Sequence, residues 1–240
     1  MTLVTALKCK DGIVMASDGQ ATGNSAGGAI RYEMPKIHKI GNALYGASGT
    51  IGMIQKSLDV VRSFSGELGS GITVDLRRSV RNALLDLSIE AQNTHRRYYG
   101  STEGAPLADI FICAKDGSGE QRIWHRGKDG NDEYLDGIGY GCTGGGDVFG
   151  YTMLKGIGVG RFGIEGGKLI AYKVIRNAIE VGAYGLGNPI DMWSMDEKGM
   201  IRRESKQDLE VIHAAYLRMS EEEAKLIKQL SSVMRNKVKK

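Results

Sequence analysis

Residues 3–18 read LVTALKCKDGIVMASD. Two β-prone apolar runs, 3–8 and 13–17, stand on either side of Lys10-Asp11-Gly12, which is a hairpin signal. Working outward from this hairpin, residues 22–29 are small and polar and read as a loop. Residues 36–40 and 43–47 read as a second hairpin around Gly41-Asn42. Near residue 50 the period changes. Ile51, Ile54, Leu58 and Val61 recur at helical spacing, and Leu76, Val80, Leu84, Leu87 and Ala91 mark a second helix reaching about Tyr98. Strands are predicted again at 109–114 and 122–125, joined through residues 115–119. A short strand at 134–138 enters the glycine-rich stretch 139–146. A helix from an Asp147 N-cap to Lys155 follows, and another spans 167–181. Pro189 opens a strand over 190–195, and a turn at 196–199 leads to 200–204. Ser220 with Glu223 predicts a capping box for a last helix.

The order is strands, two helices, strands, two helices, strands. That is not alternating βαβ, so a doubly wound sheet is not expected. The pattern predicts an α+β fold, a four-layer αββα sandwich of two antiparallel sheets flanked by helices. Residues 1–240 read as one domain with a C-terminal helical extension over about 205–240.

Of 240 residues 35 are glycine and only three proline, a glycine share about twice the usual ~7%. With no triplet repeat this is neither collagen nor a low-complexity tract. The excess predicts tight turns and a site lined by backbone. Net charge is +4, yet six basic residues and no acid fall between Lys225 and Lys240. The remainder is therefore close to neutral. No aromatics interleave with the basic tail, so no nucleic-acid partner is expected. The three cysteines, Cys9, Cys113 and Cys142, are widely spaced and fit a reduced, cytoplasmic setting. No apolar run reaches the ~18 residues of a membrane span, and no signal-peptide pattern opens the chain.

Gly139-Tyr140-Gly141-Cys142-Thr143-Gly144 matches GxGxxG before a helix, with Glu165 about 20 residues on. No clear βαβ unit surrounds it, which weighs against a dinucleotide site. There is no GxxxxGK[ST] phosphate loop and no GxSxG nucleophile turn. The four histidines, 38, 95, 125 and 213, lack metal-ligand spacing. Neither a metal nor an organic cofactor is expected.

Thr2 directly follows Met1. Removal of the methionine would leave Thr2 with a free α-amine, whose ordinary pKa of ~7.7–8.0 keeps part of it neutral at pH 7. Such an amine can serve as general base for the hydroxyl of its own residue. Residues 2–6, then 9–22 with Asp18-Gly19-Gln20-Ala21-Thr22, then Lys36-Ile37, then 46–52 with Gly46-Ala47-Ser48-Gly49, resemble the start of proteasome β-type subunits. These are N-terminal-nucleophile (Ntn) threonine peptidases with an αββα sandwich. Residues 18–22 are particularly similar to the bacterial HslV-type peptidase. Residues 142–151 and 173–191 are more similar to archaeal-type β subunits. The resemblance extends over about residues 2–203, and the chain lacks the N-terminal helical extension of α-type subunits.

The resemblance implies four catalytic positions. Thr2 is the nucleophile. Lys36, on a strand facing it, is the cation that stabilises the developing alkoxide, and Asp18 pairs with that lysine. Gly49 supplies an oxyanion-hole N–H. By position, Ala21, Met34, Ala47 and Ile51 line the first specificity pocket, which predicts cleavage after apolar side chains. The resemblance also implies peptide or unfolded-protein substrates and a homo- or hetero-oligomeric ring, fed by α-type subunits or an ATPase.

The chain departs from the family pattern at two places. Gly145 stands where the family has a serine, with Thr143 or a water as substitutes. The segment 181–191 is about two residues short and lacks a supporting aspartate and serine, although Asp191 matches. These departures leave open a catalytically silent structural subunit. An amide hydrolase acting on a non-protein substrate is a third reading.

Overall fold

The computed structural model describes residues 2–25, 28–182 and 185–238. The chain divides into two compact units, Met1–Arg203 and Glu204–Lys240. In the first unit β1 (Val4–Lys8) and β2 (Gly12–Asp18) form the opening hairpin, with Val4 opposite Ser17 and Lys8 opposite Ile13. A two-stranded ribbon follows, β3 (Gln20–Ser25) and β4 (Gly28–Glu33). The expected loop over 22–29 is therefore largely strand. Its small polar residues carry no period-2 pattern, and backbone pairing alone makes the ribbon. Residues 26 and 27 of that stretch lie outside the described residues.

The second hairpin joins β5 (Ile37–Ile40) and β6 (Ala43–Gly49). Three helices succeed it: α1 (Ile51–Ser63), a single turn α2 (Ser65–Leu68), and α3 (Val74–Tyr99). Thr73 caps α3, its hydroxyl accepting from the Leu76 N–H at 3.1 Å. Then come β7 (Ala108–Lys115), β8 (Gln121–Arg126), β9 (Asp132–Tyr134) and β10 (Tyr140–Thr143). Of the strand expected at 134–138 only Tyr134 is strand, at the end of β9, and β10 begins beyond it at Tyr140 in the other sheet. Leu135 breaks the run by turning back, and its carbonyl accepts from the Gly139 N–H at 2.7 Å.

α4 (Asp147–Leu154) starts one residue beyond its cap, which is Gly146 rather than Asp147. α5 (Ile164–Glu180) then leads to β11 (Ile190–Asp196) and β12 (Ile201–Arg203). Glycine-rich residues 139–144 hold β10, which pairs antiparallel with β1. A dinucleotide-binding turn between a parallel strand and its crossover helix is not what this segment builds.

The two large sheets have the orders β10-β1-β2-β11-β12 and β5-β6-β7-β8-β9, antiparallel throughout. Between them lies an apolar layer with Val4, Ile13 and Met15 from the first sheet and Leu44, Phe111 and Ile123 from the second. On the far side of the second sheet, Met53, Ile54 and Val61 of α1 and Leu76, Val80 and Leu84 of α3 cover Tyr45, Ile110 and Trp124. α5 buries Ala171, Val174, Ile175 and Ala178 and packs on β1, β2 and β11. This is the expected αββα sandwich. Each fully buried Leu, Ile or Phe in these layers contributes about 1.5–3 kcal/mol.

The second unit is one helix, α6 (Lys206–Val238), preceded by Ser205. It starts 14 residues before Ser220, whose hydroxyl donates back to the Tyr216 carbonyl at 3.1 Å in mid-helix. The working capping box is Ser205 with Asp208. Ser205 Oγ accepts from the Asp208 N–H at 3.1 Å, and Asp208 Oδ2 accepts from the Ser205 N–H at 2.9 Å. Both pairs have the same S-x-x-acid spacing, so spacing alone did not separate them.

Candidate active site

The backbone first brings Asp18 to the start of the chain. β1 and β2 run antiparallel, so the end of β2 lies beside Leu3, and the Asp18 N–H donates to the Leu3 carbonyl at 3.2 Å. In return, Asp18 Oδ1 accepts from the Leu3 N–H at 2.9 Å. Asp18 Oδ2 accepts from the N–H groups of Gln20 and Gly187, each at 3.3 Å. Three backbone donors fix this carboxylate, which is fully buried.

Lys36 lies in the extended segment before β5, not on the strand where it was expected. Its Nζ is 2.5 Å from Asp18 Oδ1 and also donates to the Gln20 carbonyl at 2.8 Å. Lys36 is 2% exposed. Burial pushes its pKa below the ordinary lysine value, and the Asp18 carboxylate works against that drop. Among the described residues no hydrogen bond joins Lys36 to the Thr2 hydroxyl. Among the described residues the Thr2 side chain makes no hydrogen bond.

Thr2 and Gly49 line one cleft of about 400 Å³, together with Ser48, Leu107, Asp109, Lys128, Gly144, Gly145 and Asp147. Gly49 has φ +136°, and a Cβ there would run into the Leu107 carbonyl. Gly144 has φ +106°, and a Cβ there would run into the Thr2 carbonyl. Both positions therefore demand glycine. Gly46 leaves the room that Met15 and Val4 of the facing sheet occupy, and Gly52 sits on α1 with open space around it.

Ala47 is buried in the layer beneath α1, and Met34 packs against that layer. Ile51 opens α1, and Ala21 sits buried on β3 beside Gln20. None of these four lines the Thr2 cleft. A groove of about 480 Å³ between α1 and α3 holds none of the expected site residues either.

Several residues meet here, of which sequence reasoning had given a role only to Thr143, as a stand-in for the missing serine. Ser48 and Thr143 bond hydroxyl to hydroxyl at 2.7 Å. Asp109, opposite Ser48 in the β6–β7 pairing, takes a hydrogen bond from His125 Nε2 at 2.5 Å. Burial alone would lower the His125 pKa, but the carboxylates of Asp109 and Glu133 outweigh it and hold the imidazole above its ordinary value. The step from a hydroxyl residue to glycine at Ser48-Gly49 and Thr143-Gly144 also occurs at Thr22, Ser65, Ser70 and Ser118, so no local signal marked the pair.

The shortened segment before β11 closes over the aspartate. Gly19 N–H donates to the Gly187 carbonyl at 3.0 Å, and Gln20 Nε2 to the Gly185 carbonyl at 2.8 Å. Ala183 and Tyr184 of this segment lie outside the described residues. Asp191 does not line the Thr2 cleft and accepts from Arg203 Nε at 2.9 Å.

A family model described as proteasome subunit matches residues 2–185. No curated protein matches the chain by sequence. Among solved structures, Anbu from Hyphomicrobium sp. strain MC1 is similar with a TM-score of 0.70 and 13% identity, over 94% of this chain and 97% of that chain. A mutant of Anbu from the same strain gives 0.69 and 12%, over 95% and 97%. At these identities the likeness to Anbu is one of fold. The family model covers most of the sandwich, including Thr2, Asp18, Lys36 and Gly49, and on that match the chain belongs to the proteasome subunit family.

Proposed function

We propose that this chain is an N-terminal threonine peptidase working inside an oligomeric ring. The observation that carries the reading is the buried Asp18–Lys36 pair, anchored by the Leu3 N–H one residue from Thr2. A buried charge pair is costly to form. Its link through Asp18 to Leu3, next to Thr2, supports Lys36 as the cation for an alkoxide at Thr2.

In this reading Met1 is removed and the Thr2 α-amine takes the hydroxyl proton. No side-chain base is hydrogen-bonded to that hydroxyl among the described residues, which favours the amine as base. The Thr2 oxygen attacks a peptide carbonyl, and an ester forms as the amine-side product leaves with the proton. Gly49 N–H receives the oxyanion, and the Lys36 ammonium offsets its charge. Water, deprotonated by the same amine, then hydrolyses the ester and restores Thr2. The preference for apolar side chains before the cut bond is assigned to Ala21, Met34, Ala47 and Ile51, which lie outside the lining of the Thr2 cleft. Residues 1–203 form the Ntn domain, and α6 is a helical extension. Leu226, Ile227 and Leu230, exposed on α6, are suited to contact with a neighbouring subunit.

Hydrolysis of a fluorogenic peptide panel tests this reading. Wild type should cleave after apolar residues, and Thr2→Ala should abolish turnover. Equal cleavage by Thr2→Ala would overturn it. The silent-subunit reading draws on Gly145, an exposed residue of the cleft where a serine was expected. Absence of turnover in a wild-type chain lacking Met1 would favour that reading.

A further inference from the structure

The layer between the two sheets is apolar until it nears Thr2. There polar ties cross it on two sides. One is Asp18 of the first sheet with Lys36, which leads into the second. The other is Ser48 on β6 of the second sheet with Thr143 on β10 of the first. Ser48 is 3% exposed and Thr143 1% exposed. Hydroxyls buried at such a place cost free energy unless bonded, and this pair is bonded at 2.7 Å.

Each partner is followed by a glycine that frames Thr2. Ser48 precedes Gly49, and Thr143 precedes Gly144, which leaves room for the Thr2 carbonyl. The Gly146 N–H donates to that carbonyl at 3.4 Å. One hydrogen bond thus sets the distance between the segment that carries the nucleophile's support and the segment that carries the oxyanion donor. Two hydroxyls hold two protons, and their mutual bond uses one. Among the described residues neither hydroxyl has another partner, and Ser48 opens onto the cleft.

We propose that the Ser48–Thr143 pair is a positioning device for the reaction at Thr2: it clamps the two sheets so that Gly49 N–H stays within reach of the oxyanion. The inference rests on Thr2 as nucleophile and Gly49 as donor. Its consequence is selective. A clamp on the oxyanion donor acts in the transition state, so its loss lowers kcat and leaves KM nearly unchanged.

The test uses the full chain with Met1 removed, as wild type, Ser48→Ala, Thr143→Val, the double variant and Thr143→Ser. Thr143→Val keeps the side-chain shape, and Ser48→Ala removes one oxygen without adding bulk. Each single loss should lower kcat about 10- to 100-fold, with KM within about twofold. The double variant should be no worse than the poorer single, because both remove the same bond. Thr143→Ser restores a hydroxyl and should stay within about threefold of wild type. Unchanged kcat, a rise in KM alone, or additive losses would overturn the inference while the wild type still turns over. A wild type that neither turns over nor reacts at Thr2 would overturn the proposed function, and the inference with it.

Discussion

Lys36 Nζ and Asp18 Oδ1 are 2.5 Å apart in a site with almost no solvent, and the two residues are not equally supported. Asp18 keeps three backbone donors if the lysine goes. Among the described residues Lys36 keeps only the Gln20 carbonyl if the aspartate goes. Asp18→Ala should therefore cost about 3–5 kcal/mol, the usual penalty for stranding a buried charge. Lys36→Met should cost about 1–3 kcal/mol, since it leaves a carboxylate still hydrogen-bonded. Both should abolish peptide hydrolysis. Urea unfolding measures the asymmetry, and equal losses would contradict this account of the pair.

The glycines around the cleft separate into constrained and free. Gly49→Ala and Gly144→Ala each place a Cβ into a backbone carbonyl at positive φ. Strain and overpacking together should cost about 2–5 kcal/mol. Gly52→Ala meets nothing within 4 Å and lies on α1. It should stabilise the protein by about 0.5–1 kcal/mol. Thermal melts of the three variants give the comparison directly.

His125 introduces a pH dependence. Its imidazole is held above the ordinary value by Asp109 and Glu133 despite burial. A base whose folded pKa is raised stabilises the fold fully below its unfolded value, ~6.5, and loses that contribution as pH rises through the folded value. His125→Gln should therefore destabilise more at pH 6 than at pH 9. The gap at pH 6 should be about 1–3 kcal/mol, typical of a charge-assisted hydrogen bond. A gap that does not change with pH would refute the assignment.

The cysteines should be silent. Burial, with a smaller contribution from Asp11, pushes Cys9 up to about 12, and burial pushes Cys142 up to about 12. Cys113 is raised as well, by burial. The thiolate is the reactive form, so iodoacetamide at pH 8 should label none of them in the native protein and all three after denaturation. Labelling of the native chain would show that one of these sites opens.

Much of the sandwich was legible because its strands and helices carry strong periods. Residues 51–61 and 76–91 marked α1 and α3, and the Lys10-Asp11-Gly12 and Gly41-Asn42 turns marked both central hairpins. The β3–β4 ribbon was not legible, since its residues are small and polar and long-range pairing decided the matter. The start of α6 was missed because two equivalent capping signals lie in the chain, and only one coincides with the end of the sheet unit. The resemblance singled out Asp18 and Lys36, which the fold brings into contact. Ser48 and Thr143 are 95 positions apart. Their meeting depends on how two sheets stack, which no local pattern encodes.

Mass spectrometry of the chain's N-terminus decides whether Thr2 is the nucleophile. The folded protein is treated with a peptide epoxyketone, which closes a ring with a vicinal amine and hydroxyl, and is then digested and mapped. Met1 should be absent, and a single adduct should sit on Thr2 and be lost in Thr2→Ala. A retained Met1, or a free Thr2 that takes no adduct, would contradict it.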